Sequence, residues 1–170
     1  EISNILGKDE LLIEFVKFSP YEKASINFKS SNSNYLALTL NTLGEIEIFD
    51  LGNASIIEKD IKNTLDLIQF SKEKVDYQIN KLSKKVFNKS FSEYIQDYET
   101  LFISSDWALN RVPFFALKNP SNNDYLTNKK QIILITTGRE LIEKKESKKQ
   151  NQESYVVYNP DFDYRNRDKF

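Results

Sequence analysis

Residues 53–112 contain neither glycine nor proline, and such a long uninterrupted stretch favours helices. Serine and glutamate stand three residues apart at Ser55 and Glu58, and again at Ser90 and Glu93. This spacing is typical of a capping box and predicts two helix starts, the second helix being short. Apolar residues at helical spacing predict a buried helix face. They are Ile57, Ile61, Leu65 and Ile68 before a break near Ser71, and Val75, Ile79, Leu82 and Val86 after it.

Short apolar segments on either side of this stretch predict strands. They lie at 11–18, 35–40, 45–50, 101–103, 131–136 and 154–158. The second and third are joined by a turn at residues 41–44, where Gly44 is free to adopt a positive φ, so they predict an antiparallel hairpin. Strands that surround a helical stretch predict an α/β fold with layered helices and sheet.

Composition excludes several kinds of chemistry. The chain has no cysteine and no histidine, so it cannot form disulfides, a thiolate nucleophile, an imidazole base or most zinc sites. We therefore assign no catalytic residue, no metal site and no cofactor. The formal net charge of −1 argues against general nucleic-acid or anionic-membrane binding, and no run of apolar residues predicts a membrane span. Because it starts at Glu1 and contains no methionine, we expect the chain to be a piece of a longer protein.

Two charge patterns have competing interpretations. Glu45 and Glu47 share one face of a predicted strand and resemble a carboxylate pair, but a solvated strand face explains them as well. Lysines on the predicted helices suggest a nucleic-acid contact, yet nearby acidic residues balance them. We therefore favour the solvated side of a helix and do not expect direct nucleic-acid contact. The lysines are Lys72, Lys74, Lys81, Lys84, Lys85 and Lys89.

Four weaker motifs do not support a site. Residues 161–168 resemble a calcium loop, but Asn166 replaces the required glycine. Asn53 and Asn88 each begin a glycosylation sequon, which we interpret as chance. Residues 136–139 are too short for a phosphate-binding loop. Trp107, the only tryptophan, is interpreted as a packing residue beside a turn.

Residues 101–117, which read LFISSDWALNRVPFFAL, belong to a series of motifs that occur in a family-specific order. The first motifs are the strand 11–15 and the hairpin 35–52, which ends in Asp50-Leu51-Gly52. Within 101–117 the matching positions are Ser104, Asp106, Leu109, Pro113, Phe114, Ala116 and Leu117. The later motifs are Tyr125-Leu126, the strand 131–136 and residues 155–163. Together they resemble the CHAT domain, a caspase-like domain often associated with tetratricopeptide repeats in bacteria.

Two departures from the family pattern occur in the central motif. Ser105 replaces the usual proline and Trp107 replaces the usual glycine, which relaxes the expected turn chemistry. The motif is still interpreted as core architecture. Asp106 is expected to cap the turn, and Pro113 to direct the next two residues, Phe114 and Phe115, into the core.

The resemblance implies a caspase-like layered sheet and a domain division. Residues 1–142 would form the non-catalytic, pseudo-caspase half, 143–153 an exposed linker, and 154–170 the first strand of the catalytic half. It also implies a cytoplasmic cysteine peptidase, with the catalytic histidine and cysteine downstream of the 154–158 strand. The expected partners are the remainder of the polypeptide, which in this family can include a repeat domain, and a protein substrate.

The leading hypothesis is that this piece is inactive alone and supports catalysis in the complete peptidase. The rival hypothesis is a non-catalytic CHAT-like module that only binds proteins. A third is an unrelated binding domain, which a continuous helix across 101–117 would favour.

Overall fold

The computed structural model describes residues 1–19, 33–70 and 73–147, and these form a sheet with helices on it. The strands are β1 (Glu10–Phe18), β2 (Asn34–Leu40), β3 (Ile46–Asn53), β4 (Thr100–Ser104) and β5 (Gln131–Ile135). The helices are α1 (Ala54–Phe70), α2 (Val75–Val86), α3 (Lys89–Tyr94) and α4 (Glu140–Ser147). Within these ranges no helix is long and apolar enough to cross a membrane.

The strands form one mixed sheet in the order β3-β2-β1-β4-β5. β1 runs parallel to β4, and β4 runs parallel to β5. β2 is antiparallel to both β1 and β3, and Gly44 in the β2–β3 turn has a φ of 80°. The predicted α/β class and its antiparallel hairpin are therefore confirmed.

The larger core lies between one face of the sheet, called here the first face, and helices α1 to α3. Phe15 of β1 is at its centre, with its ring centroid 5.5 Å from that of Phe114 and 6.3 Å from that of Phe91. Ile57 and Ile61 are buried against this face as predicted, whereas Ile68 near the end of α1 remains 48% exposed. The helical stripe thus predicted the packing of the first half of α1 correctly and its end wrongly.

A smaller cluster covers part of the opposite, second face. It joins Leu12 of β1 and Ile135 of β5 to Leu6 near the N-terminus and Leu141 of α4. The first turn of α4 is thereby fixed against the sheet. Residues 143–147, which the sequence placed in an exposed linker, are helical, and residues 148–153 lie outside the described part of the chain. The division into domains stays a prediction.

Both predicted capping boxes are wrong in detail. Asn53 is the residue that caps α1, since its Oδ1 accepts hydrogen bonds from the Ser55 and Ile56 amides at 3.0 and 3.3 Å. Asn88 caps α3 by accepting from the Phe91 amide at 3.1 Å. Asparagine is among the best N-cap residues, so each helix uses an asparagine located two residues before the predicted serine.

Candidate functional site

The carboxyl ends of β1, β4 and β5 lie at the same end of the sheet, which is where ligands and active sites of parallel sheets are usually found. Three segments form this end: the end of β1, the loop 104–107 at the end of β4, and the loop 136–139 after β5. We call them together the carboxyl-end site. Both loops were singled out in the sequence, and the structure brings them together.

The loop after β4 is held by its own side chains and by the core. Asp106 Oδ1 accepts a hydrogen bond from the Trp107 amide at 2.8 Å and starts the 3-10 turn Trp107–Arg111, which confirms its predicted capping role. Leu109 and Phe114 are fully buried in the first-face core. Phe115 is 53% exposed, so the prediction that Pro113 directs both phenylalanines inward is correct for the first and wrong for the second. The segment is a strand followed by turns, not a continuous helix.

Trp107 contradicts its interpretation as a packing residue. Its side chain is 67% exposed, and its backbone has a φ of 50°, a left-handed conformation that is unfavourable for a residue with a Cβ atom. Glycine, the usual residue here in the pattern that the chain resembles, would adopt this φ freely. The chain therefore combines a left-handed backbone with a large aromatic ring that is mostly exposed to solvent.

A polar cluster lies beside this ring. Lys17 Nζ is 4.9 Å from the centroid of the Trp107 ring and 2.7 Å from Glu58 Oε1. The same carboxylate accepts a hydrogen bond from the Tyr35 hydroxyl at 3.0 Å. Burial, together with the Glu58 carboxylate, raises the pKa of the fully buried Tyr35 well above its ordinary value, so its phenol stays protonated and keeps donating. The cluster fixes the loop's position relative to β1, β2 and α1.

The loop after β5 is bound by carboxylates of the chain itself. Glu14 Oε1 accepts a hydrogen bond from the Gly138 amide at 3.0 Å, and Glu140 Oε2 accepts one from the Thr136 amide at 2.8 Å. Ser104 Oγ donates to the Thr136 carbonyl at 2.9 Å and so ties this loop to β4. Because carboxylates already occupy these amides, the loop is unsuited to a phosphate group, in agreement with the sequence.

The described side chains at this end of the sheet bind its loops to one another. Ser104 donates its hydroxyl hydrogen to a carbonyl, and the sequence supplies no imidazole or thiol anywhere in the chain. Covalent catalysis commonly uses a nucleophile with a base within hydrogen-bond reach. The described residues of the carboxyl-end site show no histidine or cysteine for such a pair, and they present the exposed Trp107 ring to solvent.

The remaining predicted candidates lie elsewhere. Glu45 and Glu47 are exposed near or on the edge strand β3, as expected of a solvated strand face. Lys81 and Lys85 of α2 both form ion pairs with Asp60 of α1, which is 3% exposed, so part of the basic helix face is used internally. The calcium-like loop and residues 155–163 lie outside the described residues.

Sequence reasoning missed the contacts that join distant segments. The pairs Lys17–Glu58 and Asp60–Lys81 each connect different elements, so local spacing carried no signal for them. Asn53 and Asn88 could have been found, since each asparagine stands immediately before a helix and belongs to the strongest capping residues.

Comparison with known proteins gives one finding. Residues 78–169, more than half of the chain, match the family model of the CHAT domain. No curated protein matches the chain.

Proposed function

The chain belongs to the CHAT-domain family, and from this premise we propose that it is the non-catalytic portion of a caspase-like cysteine peptidase that cleaves protein substrates when complete. In this proposal the chain supplies the sheet, the helices and the rigid loops on which catalytic residues elsewhere in the polypeptide are placed. Its location would be the bacterial cytoplasm.

The proposal rests on one observation: a chain of this peptidase family contains neither a cysteine nor a histidine. A caspase-like mechanism needs a thiolate nucleophile and an imidazole, and no combination of the residues present replaces both. The carboxyl-end site supports the same interpretation, because its hydroxyl and carboxylate groups bind the loops to one another.

The proposed partners follow from this role. The first is the remainder of the same polypeptide, including a catalytic half and, where the polypeptide has one, a tetratricopeptide repeat domain. The second is a protein substrate, bound through the complete enzyme. We propose no cofactor, no metal and no direct contact with nucleic acid.

The test begins with the reading frame beyond Phe170. A protein extended to include a downstream histidine and cysteine is expected to cleave casein or members of a peptide panel, and changing that cysteine to alanine should abolish cleavage. The chain alone, purified in parallel, should cleave nothing. Hydrolysis by the pure chain, at a rate unaffected by protease inhibitors directed at contaminants, would refute the proposal.

A second candidate function is a pseudo-enzyme that only binds proteins. The exposed Trp107 favours it, since tryptophan is among the residues that most often dominate the energy of protein interfaces. An open frame without the histidine and cysteine would select this alternative. Loss of a captured partner on changing Trp107 to alanine would then support it.

A further inference from the structure

Strand β3 forms one edge of the sheet and exposes backbone groups. Within the described residues it pairs only with β2. The Asn41 amide donates to the Glu45 carbonyl at 3.2 Å and sets the register of the hairpin. In an antiparallel pair the backbone groups of every second residue bond to the partner strand. The amide and carbonyl groups of Glu47 and Phe49 therefore face β2, and those of Ile46 and Ile48 face outward.

The contact made by Asn88 agrees with this register and limits the open edge. Its Nδ2 donates to the Asp50 carbonyl at 3.0 Å. Asp50 lies two residues after Ile48 on the strand, so its backbone carbonyl also faces outward. One outward carbonyl of β3 is thus already occupied by a side chain. The open stretch covers residues 45–49.

This stretch lacks the usual protection of edge strands. Natural edges are commonly protected by charged side chains, above all lysine, by proline or by bulges. Residues 45–49 contain neither lysine nor proline, and their only charges are the carboxylates of Glu45 and Glu47, which repel an acidic strand but not a basic one. The only register shift between β2 and β3 lies beyond the stretch, next to Tyr35 and Leu36. Ile46 and Ile48 are 65% and 61% exposed on the second face.

The charge of the hairpin is one-sided. Residues 41–53 contain three carboxylates, those of Glu45, Glu47 and Asp50, and no lysine or arginine. In the described part of the chain, none of the three forms an ion pair. The side chain of Glu47 points to the face opposite that of Ile46 and Ile48, since successive residues of a strand alternate.

We propose that the open edge of β3 binds an extended segment of a partner protein in which apolar and basic residues alternate, added as an antiparallel sixth strand. Its apolar side chains lie beside Ile46 and Ile48, its basic side chains lie beside Glu47, and its backbone bonds to the outward amide and carbonyl groups. A second copy of this chain fits less well, because two acidic edges would face each other.

The probe is a fluorescein-labelled octapeptide of alternating valine and lysine, and binding to the chain is followed by fluorescence anisotropy at low ionic strength. An octapeptide of alternating valine and glutamate controls for charge. N-methylation of the valines blocks the amides that would pair with β3, whereas N-methylation of the lysines alters amides that point away from it.

Two pairs of variants locate the contact. Glu47→Lys is expected to weaken binding of the basic peptide about tenfold and to create binding of the acidic one, while Glu99→Lys, at an exposed glutamate distant from β3, leaves both unchanged. Ile48→Pro removes an outward amide and should abolish binding, whereas Ile48→Thr keeps the amide and retains most of it. Circular dichroism verifies that each variant is folded.

Three results of the peptide-binding experiments would overturn the proposal. They are equal binding of the two peptides to the unaltered chain, equal loss of binding in the Glu47 and Glu99 variants, and tolerance of the N-methylated valines. Sedimentation of the chain without peptide tests the second-copy arrangement. A dimer that Ile48→Pro dissociates would replace the partner segment by a second copy and would equally refute the proposal.

Discussion

Replacing Trp107 by alanine and by glycine separates the strain of its backbone from the packing of its ring. About one third of the ring is covered, or roughly 75 Å² of a side chain that offers up to about 250 Å². Burial of that area contributes about 2 kcal/mol, and the Lys17 contact adds about 0.5–1 kcal/mol. Trp107→Ala should therefore lower the free energy of unfolding by about 2–3 kcal/mol.

Trp107→Gly loses the same contacts but relieves the left-handed φ. That relief is about 1–2 kcal/mol, and the greater freedom of glycine in the unfolded chain offsets about 0.5–1 kcal/mol of it. The glycine variant should therefore be more stable than the alanine variant by about 0.5–1 kcal/mol, the reverse of the usual order.

Urea unfolding followed by far-UV circular dichroism is the appropriate assay, because both variants lack the only tryptophan and its fluorescence. Ala108→Gly is the matched control: its φ is not positive, and glycine should destabilise there by about 1 kcal/mol. If Trp107→Ala equals or exceeds Trp107→Gly in stability, the left-handed backbone carries no strain and the reasoning fails.

Three further predictions can be checked by the same unfolding assay. Burial raises the pKa of Asp60, but hydrogen bonds from two lysines outweigh it and hold the pKa below its ordinary 3.8. Asp60→Asn should therefore lower the free energy of unfolding by about 2 kcal/mol at neutral pH. This cost should shrink as the pH falls below 3.8, because the carboxylate of the unaltered chain becomes protonated. A difference that persists unchanged in acid would contradict the ion-pair explanation. Gly138→Ala should cost about 1–3 kcal/mol because its Cβ would lie 2.9 Å from a leucine methyl of β1, whereas Gly7→Ala meets only a flexible glutamate at 3.3 Å and should be tolerated. Asn53→Ala should lower the free energy of unfolding by about 1 kcal/mol and Ser55→Ala by less than about 0.5 kcal/mol. The opposite order would show that Ser55, not Asn53, caps α1.

Local pattern was sufficient to predict much of this fold. A nearly continuous apolar run indicated β1, short apolar segments indicated the hairpin of β2 and β3, and the glycine at position 44 marked its turn. The helical stripe through Ile57 and Ile61 identified the buried face of α1. These signals are local, because the period of a strand or helix is written in neighbouring residues.

The candidate site was only partly predictable, for a physical reason. The cap at Asp106 depends on a neighbouring amide and was foreseen. Trp107 adopts a positive φ, which residues with a Cβ atom disfavour. The conformational preference of tryptophan therefore did not predict the backbone of this loop. The bond from Gly138 to Glu14 joins residues 124 positions apart in the sequence, and only the parallel pairing of β1 with β4 and of β4 with β5 brings them together.

The central position of β1 has a consequence for synthesis of the protein on the ribosome. Its neighbour β2 follows soon after, but Leu12 and Ile13 find their other partners only at Phe102 and Ile103. At about 5–20 residues per second, several seconds pass before β4 is translated, and during this time one edge of an apolar strand has no partner. We expect nascent chains paused before β4 to be held by chaperones, and pauses after β5 to release a folded sheet.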